Sequence, residues 1–467
     1  MSFLNKLLGR KKKRVVVVTP PSYFNKTLMR MQYPPYNLVE VMAMTPLIPL
    51  GAAYIAGALR EGGFDTKVVD LTFIDKRRID NQVLTRGILD QEPDAVGISA
   101  LTWTILQAYD LADALKEERP DLHITLGGPH SSALPRRTLE DCKSIDAAVI
   151  GEGEYVYVDF LKQALNKNFN PNNFNQPGIL FRHKGKIYGN QAPVYIDKLD
   201  KLPRPARDLF NLNEYRKIGK TFMAKQTPVA SIMTSRGCPQ KCIFCCRSAS
   251  GYGYRERSAD SVVKEIVHLK ELGFNEVQIP DDNFTHDRER VRDICTQLYD
   301  LDLDMTFDLP NGIRVDHVDK DTMMMMRDVG FYAMHLGVES LDPHVLKTIR
   351  KDITVEQVEN AVKITKELGF NIILYIIIGL PGSSVEAEMR TLDKIKELDV
   401  PFTFSICTPY PGSPLWKMKE DELKDIQWER FDETLFDDPI YTPDDMTKEQ
   451  IQEVVDIFNE YKLRPRI

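Results

Sequence analysis

Short apolar runs alternate with longer amphipathic stretches along most of this chain, which is the pattern of strands separated by helices. Amphipathic stretches at 49–61 and 107–118 predict helices in the first third of the chain. Strand–helix alternation is typical of a doubly wound α/β domain built on a parallel sheet. The apolar runs that predict the strands of this sheet lie at 14–20, 66–71, 95–99, 123–126 and 147–150.

A second and more regular alternation begins at Val229 and predicts six strands separated by helices. Such a run of βα units indicates a partial (β/α)6 barrel of the TIM type, with active groups at the carboxyl ends of the strands. The predicted strands are 229–234, 276–280, 305–309, 333–338, 371–378 and 401–407, and the predicted helices are 259–272, 288–299, 319–329, 355–368 and 385–398.

The predicted domain organisation follows from these two alternations. A domain over 14–155 precedes a bridge over 156–226, the barrel over 227–412 and a small C-terminal subdomain over 413–467. The tail over 1–13 is rich in Lys and Arg and has no acid, so it is either a frayed terminus or an amphipathic segment that rests on an anionic membrane. Aromatic residues of the C-terminal subdomain form its core or cover the barrel mouth for a flat or apolar substrate; they include Trp416, Trp428, Phe431 and Phe436.

Composition narrows the class of protein. The chain has 467 residues, 43% hydrophobic and 28% charged, which is the balance of a globular protein. The net charge of −7 argues against a nucleic-acid-binding surface. Seven cysteines, an odd number, do not form a disulfide framework and favour a cytoplasmic location. The longest apolar run is far too short to span a membrane.

Three of the cysteines, Cys238, Cys242 and Cys245, form a C-x3-C-x2-C pattern directly after the first predicted barrel strand. Thiolates at this spacing enclose a small metal centre, either zinc or an iron–sulfur cluster. A structural zinc site needs four ligands and usually a second C-x2-C pair, and the sequence has no second pair. A four-iron cluster held by three cysteines leaves one iron open to a ligand, so we favour the cluster.

The predicted strand ends of the first domain carry small and polar residues. Carboxyl ends of parallel strands are where such sheets bind ligands, and glycine there lets a bulky ligand approach the backbone. The pattern is not G-x-G-x-x-G, so a dinucleotide is not expected. The candidate ligand-binding residues at this edge are Ser99, Leu101, Thr102, Gly127, Gly128, Gly151 and Glu152.

Polar residues also follow successive strands of the predicted barrel, at the same end as the cysteines. Asp282 follows the second strand, Arg314 the third, and Glu339 with Ser340 the fourth. A carboxylate at this position can accept hydrogen bonds from hydroxyl groups of a ligand, and a cation can bind a carboxylate of a ligand. Glu339 and Arg314 can supply these two groups.

The cysteine loop, with Phe244 before its third cysteine, resembles the signature of the radical S-adenosylmethionine superfamily. The resemblance implies a [4Fe–4S] cluster whose open iron binds S-adenosylmethionine, and reductive cleavage that yields a 5′-deoxyadenosyl radical. In relatives, the residue equivalent to Glu339 contacts the ribose, the loop of Asp282 lies near the amino group, and backbone around Phe244 faces the adenine.

The first domain resembles the cobalamin-binding domain that precedes many of these enzymes, through PLGAAYIAGALREGG, LGGPH and VIGEGE. The resemblance therefore assigns the glycine-rich strand ends to cobalamin. Corrinoid methyltransferases of another type ligate cobalt through the histidine of D-x-H-x-x-G, and this chain has no such motif. We expect cobalt without a protein imidazole, unless His130 supplies one.

Together these resemblances imply a cobalamin-dependent C-methyltransferase acting on an unactivated carbon of a small-molecule or lipid-like substrate. An external electron donor of the flavodoxin or ferredoxin type is implied as its partner. A ring-forming or oxidative cyclase is the alternative enzyme, because DDNFT, GVES and GLPG are similar to motifs of the anaerobic magnesium-protoporphyrin ester cyclase branch. An iron–sulfur sensor is the non-enzyme alternative. A tRNA methylthiotransferase needs three cysteines in its first domain, which here has only Cys142.

Overall fold

The computed structural model describes residues 12–20, 29–33, 36–41, 47–72, 80–217, 224–431 and 438–463. The chain divides into two compact units. The first is drawn from Met1–Phe24, Ile48–Ile196 and Lys201–Leu212, and the second from Asn25–Leu47, Asp197–Asp200 and Asn213–Ile467. The predicted basic tail lies outside the described residues, apart from Lys12 and Lys13.

A seven-stranded sheet forms the centre of the first unit, and five of its strands are parallel. Two described strands, β2 (Met29–Tyr33) and β3 (Tyr36–Val41), belong to the second unit and pair with each other. The strands of the seven-stranded sheet in chain order are β1 (Arg14–Thr19), β4 (Asp65–Asp70), β5 (Ala95–Ser99), β6 (His123–Gly127), β7 (Ala147–Val149), β8 (Ile179–His183) and β9 (Lys186–Asn190). The spatial order is β4-β1-β5-β6-β7-β8-β9. The predicted doubly wound sheet is confirmed.

Six helices connect these strands, and their buried positions follow the amphipathic pattern of the sequence. In the first helix, for example, Ala52, Ala56 and Leu59 are buried against the unit while Arg60 is exposed. Apolar stripes of this kind drive helices onto the faces of a parallel sheet. The helices are α1 (Leu50–Glu61), α2 (Asn81–Leu89), α3 (Ile105–Glu118), α4 (Pro129–Ala133), α5 (Pro135–Asp141) and α6 (Val156–Ala164).

The hairpin of β8 and β9 belongs to this sheet, although the sequence interpretation placed it in a bridge between domains. Strand β8 pairs antiparallel with β7, with Val149 opposite Ile179. Phe181 is buried, and its ring centroid lies 5.1 Å from that of Phe160 on α6. Burial of this aromatic face explains why the hairpin lies on the edge of the sheet rather than apart from it.

The second unit is an open barrel of parallel strands in two arcs. Strands β10 (Val229–Ser231), β13 (Glu276–Gln278) and β14 (Thr306–Asp308) form one arc. The other arc comprises β15 (Ile313–Arg314), β16 (Ala333–Glu339), β17 (Asn371–Ile378) and β18 (Phe402–Ile406). A bridge between Phe307 and Phe331 links the arcs, which confirms the predicted partial barrel. The short strands β11 (Ser235–Arg236) and β12 (Arg255–Glu256) form a separate hairpin.

Helices follow the barrel strands in the predicted alternation. Three of them end before Gly273, Gly330 and Gly369, as the sequence predicts. The helices are α7 (Leu212–Lys217), α8 (Ala259–Glu271), α9 (Arg288–Leu301), α10 (Lys320–Asp328), α11 (Pro343–Thr348), α12 (Val355–Glu367), α13 (Val385–Leu398), α14 (Pro414–Leu423) and α15 (Lys448–Leu463).

The aromatic residues of the C-terminal subdomain pack on one another. The ring centroids of Trp416 and Trp428 lie 6.2 Å apart, and that of Phe431 lies 5.4 Å from each. All three side chains are buried, so they form the core of this subdomain; Phe436 lies outside the described residues. In the described part of the chain, no helix has both the length and the apolar content that crossing a bilayer requires.

Candidate active site

The cysteine loop begins directly after β10 and is held by backbone bonds from two sides. The amide of Ile243 donates to the carbonyl of Ile349 at the end of α11, at 3.0 Å. The amide of Leu415 in α14 donates to the carbonyl of Ile243 at 2.8 Å. The Ile243 side chain is buried, and Phe244 packs against the same apolar cluster. Other members of that cluster are Val345, Ile349, Leu380, Ala387, Cys407, Leu415 and Tyr441.

All three thiols of the C-x3-C-x2-C pattern are free. Burial raises the pKa of Cys245 to about 12, an effect that the cation of Arg247 opposes. Burial also raises the pKa of Cys242, and the nearby charge of Lys351 opposes that shift. A metal centre binds thiolates rather than thiols, so loading these cysteines releases protons.

The side chain of Arg247 lies inside the cysteine loop. Its Nη1 donates to the carbonyl of Cys238 at 2.6 Å and also to the carbonyl of Gln240. Its Cζ lies 4.1 Å from the centroid of the Tyr252 ring. Only 2% of Arg247 is exposed, and its Nε and Nη2 have no hydrogen-bond partner among the residues that the structure describes. Sequence reasoning missed this residue, because an arginine beside small polar residues reads as an exposed one.

The two carboxylates of the loop after β13 differ in their burial and in the groups that they bind. The buried Asp281 accepts hydrogen bonds from the Thr234 amide at 2.8 Å and from the Ser235 hydroxyl at 2.6 Å. Burial raises the pKa of Asp281 despite these bonds. Asp282 is exposed, and its Oδ2 accepts from the Gly237 amide at 2.9 Å. The next residue, Asn283, places its Nδ2 at 3.8 Å from the Cys238 sulfur.

Glu339, at the end of β16, forms a buried ion pair with Lys351. Lys351 Nζ lies 2.7 Å from Glu339 Oε1, and the two side chains are 8% and 12% exposed. The backbone of Glu339 has a positive φ of 67°, which turns the chain at the carboxyl end of the strand. Lys351 therefore provides a counter-charge for this largely buried carboxylate.

Two other predicted residues make contacts within the protein. Arg314 Nε lies 2.9 Å from one oxygen of Asp316, and its Nη2 lies 3.0 Å from the other. The Ser340 hydroxyl lies 3.2 Å from that of Thr391 and accepts from the Asp342 amide at 3.1 Å. Thus partners within the protein already bind the Arg314 guanidinium and the Ser340 hydroxyl, which the sequence interpretation assigned to a ligand.

The loop after β17 is held by Glu388, which the sequence analysis did not single out. Its Oε1 accepts from the Gly379 amide at 2.9 Å and from the Ser383 hydroxyl at 2.6 Å. Burial raises the pKa of Glu388 to about 7. Glu388 lies on α13 and reaches back to the loop, so a local pattern in the sequence does not reveal this contact.

In the first unit, the residues after β5 lie at the carboxyl edge of the sheet. Leu101 is 41% exposed, whereas Thr102 is buried and Ser99 is half-buried. The buried His130 has Nδ1 at 3.4 Å from the Thr102 hydroxyl, and burial lowers the pKa of His130 to about 3. Since no part of His130 is exposed, its imidazole is not presented to a ligand at this edge.

The glycines at this edge differ in what surrounds them. A Cβ added to Gly128 would lie 2.5 Å from the carbonyl oxygen of Ala100, and one added to Gly151 would lie 2.5 Å from that of Val194. A Cβ on Gly127 would meet only an ordinary contact, at 3.8 Å. The approach of protein backbone therefore requires glycine at 128 and 151.

Glu152, the remaining candidate at this edge, is buried. Its Oε2 accepts from the Ile196 amide at 2.6 Å. The carboxylate thus holds the segment that follows β9 against the edge of the sheet.

Comparison with known proteins shows the family to which this chain belongs. Two family models match the chain, a B12 binding domain over residues 41–161 and the radical SAM superfamily over residues 232–395. An uncharacterised methyltransferase of Pyrococcus horikoshii is 32% identical over 430 residues, which cover 90% of this chain and 88% of the relative. The chain belongs to the cobalamin-dependent radical S-adenosylmethionine enzymes.

Other members of this family are more distant. The anaerobic magnesium-protoporphyrin IX monomethyl ester cyclase of Rubrivivax gelatinosus is 27% identical, over 86% of this chain and 71% of the relative. The solved structure of TsrM, a radical S-adenosylmethionine methyltransferase from Kitasatospora setae, matches with a TM-score of 0.73 at 17% identity. That match covers 97% of this chain and 90% of TsrM, and it confirms the fold.

The predicted cofactors, a [4Fe–4S] cluster, S-adenosylmethionine and cobalamin, are those of this family, and the residues present fit them. Three free thiols on one loop are the donor set of a cluster with an open iron. Two buried donor groups of Arg247 beside them, Nε and Nη2, lack an acceptor within the described residues. An exposed Leu101 at the edge of the first sheet suits the flat apolar face of a corrin.

Proposed function

We propose that the protein is a C-methyltransferase that acts on an unactivated carbon of a small-molecule or lipid-like substrate. The observation that carries this proposal is the similarity, over nine-tenths of the chain, to a methyltransferase that shares both domains. When bound, the cluster and S-adenosylmethionine supply a 5′-deoxyadenosyl radical, and cobalamin supplies the methyl group. The protein contributes binding, orientation and charge.

Within the second unit, we propose that Cys238, Cys242 and Cys245 hold the cluster. Glu339, paired with Lys351 at 2.7 Å, is placed to accept hydrogen bonds from ribose hydroxyls. Asp282 uses one oxygen for the Gly237 amide, and its exposed side chain leaves the other oxygen for an amino group.

We propose roles for three further residues of the second unit. Backbone around Phe244 faces the adenine. Arg314, oriented by Asp316, provides positive charge for the carboxylate of S-adenosylmethionine, although the guanidinium is already paired. Ser340 supports the turn after Glu339 through its bond with the Asp342 amide.

Within the first unit, we propose that residues 14–155 form the cobalamin-binding domain. Leu101 provides apolar contact and Gly127 provides open space, while Ser99 and Thr102 provide hydroxyls near the same edge. Gly128, Gly151 and Glu152 shape the loops of this edge through contacts with the protein's own backbone. Cobalt has no imidazole from His130, since that side chain is fully buried.

Product analysis tests the proposed reaction without knowledge of the substrate. Anaerobically reconstituted protein is incubated with dithionite, hydroxocobalamin and S-adenosylmethionine labelled in its methyl group. We expect 5′-deoxyadenosine, S-adenosylhomocysteine, and label on the protein-bound cobalamin. Absence of S-adenosylhomocysteine and of labelled cobalamin would overturn the assignment as a methyltransferase.

A cyclase is the second candidate function, and the similarity to the Rubrivivax gelatinosus enzyme over 86% of this chain favours it. A cyclase cleaves S-adenosylmethionine to 5′-deoxyadenosine but has no need to methylate its cobalamin. The experiment above therefore separates the two reactions, because only a methyltransferase gives S-adenosylhomocysteine. An iron–sulfur sensor would give neither product.

We propose that a flavodoxin- or ferredoxin-type protein supplies the electron. Four exposed cations lie within a few residues of the backbone bonds that hold Ile243 in the cysteine loop, on a chain of net charge −7. Acidic electron carriers fit such a surface. Reduction by the carrier should slow as salt increases, whereas reduction by dithionite should respond much less. The four cations are Lys241, Lys347, Arg350 and Lys417.

A cytoplasmic location and membrane contact by the tail are also proposals. Seven free thiols favour a reducing compartment. The tail over residues 1–13 carries five cations and no acid, a composition that binds anionic lipid. Deleting it should lower the fraction of protein that sediments with anionic vesicles, and an unchanged fraction would remove the membrane proposal.

A further inference from the structure

Arg247 differs from other buried cations of the second unit because no carboxylate pairs with it in the described part of the chain. Four other cations have acidic partners within 3.1 Å: Lys351 with Glu339, Arg257 with Glu265, Arg290 with Glu256, and Arg314 with Asp316. Arg247 is as buried as these residues, at 2% exposure, but contacts only carbonyl groups and an aromatic ring.

A buried guanidinium without a counter-charge is unfavourable, because removing the charge from water costs several kcal/mol, on the order of the full stability of a domain. Carbonyl groups compensate only part of that cost, and two of the three nitrogens of Arg247 still lack acceptors. The chain alone therefore leaves a positive charge and N–H groups unmatched at this position. A negatively charged ligand would match both.

The position of the guanidinium identifies that ligand. Nη1 binds the carbonyls of Cys238 and Gln240, which lie within the segment that joins the first two cysteines of the loop. Tyr252 covers the guanidinium at 4.1 Å and shields it from water. A cubane held by three thiolates is negative overall, and it becomes more negative by one charge when it accepts an electron.

We propose that Arg247 is the built-in counter-charge of the cluster and raises its reduction potential. This inference rests on the proposed function, since it requires a cluster on Cys238, Cys242 and Cys245. A nearby fixed cation stabilises the reduced form more than the oxidised form, because the reduced form carries the additional negative charge. One electron from the reductant enters the cluster, and no bond within the protein forms or breaks. Arg247 is thus a positioning and tuning residue.

The alternative is that Arg247 only stabilises the conformation of the loop through the two carbonyls. Such a structural role would affect how well the loop binds iron, but not the potential of the cluster once it has formed. Iron content and reduction potential therefore distinguish the two roles.

The test is an anaerobic redox titration of the reconstituted full-length protein, followed by the electron paramagnetic resonance signal of the reduced cluster. We expect Arg247→Met to lower the midpoint potential and Arg247→Lys, which keeps the charge, to remain closer to the original protein. Lys241→Met is the matched control, because Lys241 belongs to the same loop but is exposed and screened by water. Its midpoint potential should not change.

Tyr252→Leu provides a second measurement if Arg247→Met binds too little iron to titrate. This change leaves Arg247 and its carbonyl contacts in place but admits water to the guanidinium, so the potential should fall by less than in Arg247→Met. An unchanged potential in Arg247→Met would overturn the proposal; if that variant binds too little iron to titrate, an unchanged potential in Tyr252→Leu would overturn it instead. Absence of iron from the original protein would instead overturn the proposed function.

Discussion

The edge of the first sheet and the cysteine loop of the second unit differ in how their residues are used. At the edge of the first sheet, the glycines and the carboxylate are used by the protein itself: Gly128 makes room for Ala100, Gly151 for Val194, and Glu152 binds the Ile196 amide. In the cysteine loop, the three thiols form no disulfide, and Nε and Nη2 of Arg247 have no hydrogen-bond acceptor among the described residues.

From this difference we propose two modes of cofactor binding. The first unit would provide a shaped edge, with backbone and the apolar side chain of Leu101 facing a large ligand. The second unit would provide thiols and a buried cation whose partners come from the ligand. Substitutions in the first unit should therefore change folding, and substitutions in the cysteine loop should change loading and chemistry.

The largest expected effect is on the cluster itself. Replacement of Cys238, Cys242 or Cys245 by Ala should reduce iron and sulfide to background and abolish formation of 5′-deoxyadenosine. Cys246→Ala is the matched control, since the Cys246 thiol contacts the carbonyl of Pro411 at 3.0 Å instead of facing the metal. Iron analysis and the visible absorption of the cluster measure cluster content in the three cysteine variants and in the control. Equal loss of iron in Cys246→Ala would show that the triad is assigned wrongly.

The next largest effect concerns the buried pair in the second unit. Lys351→Met leaves the buried carboxylate of Glu339 unpaired and should cost about 3–5 kcal/mol of unfolding free energy. The double variant Lys351→Met, Glu339→Leu removes both charges and should be less destabilised than the single variant. Denaturant titration measures both values. If the double variant were the less stable of the two, desolvation of Glu339 would not be the cause.

A pH-dependent effect is expected at Glu388. Burial raises its pKa to about 7, so the folded state binds more protons than the unfolded state between the usual pKa of 4.5 and that value. Stability should therefore fall as the pH rises from about 5 to about 7.5, by on the order of 3 kcal/mol, and then level off. Glu388→Gln keeps an acceptor for Gly379 and Ser383 but does not ionise.

Unfolding midpoints of the two proteins across this pH range provide the measurement. The original protein should become less stable than Glu388→Gln as the pH increases. Parallel curves would mean that Glu388 does not titrate in this window.

The smallest effect is expected in the first unit. Gly128 has φ of 106° and ψ of −174°, a region that only glycine occupies readily, so Gly128→Ala should cost about 1–3 kcal/mol. Gly127→Ala should lower the free energy of unfolding by less, because the added Cβ has space. Any loss of cobalamin affinity in this variant would then arise from contact between the added methyl group and the ligand. Thermal unfolding and cobalamin absorbance measure the two properties. Equal destabilisation by both changes would contradict the distinction between these glycines.

Much of the fold follows from local pattern. Apolar runs such as 14–20 and 371–378 became strands close to the predicted bounds, because a strand buried on both faces needs a continuous apolar sequence. The cysteine triad was predicted from spacing alone, because its members are neighbours along the chain, and its role as a ligand set stays a prediction. Glu339 and Asp282 were selected at the predicted strand ends; the resemblance assigned their roles, which also stay predictions.

Long-range contacts account for what the pattern did not reveal. The β8–β9 hairpin has the local signature of any hairpin, and only its burial against Phe160 places it in the first sheet. That contact has no fixed spacing that a sequence can display. The bond between Arg314 and Asp316 is by contrast local, only two residues apart, and it forms because of how the chain turns after β15.

The sequence by itself determined the element order, the two α/β domains and the metal-binding loop, because periodicity and short ligand spacing are local properties of the chain. Only the tertiary structure decided which polar groups were already satisfied and which were not. That decision depends on burial, which the whole fold imposes on residues far apart in sequence. For this reason Arg247, an ordinary arginine in the sequence, is a buried cation with no carboxylate partner in the described part of the folded protein.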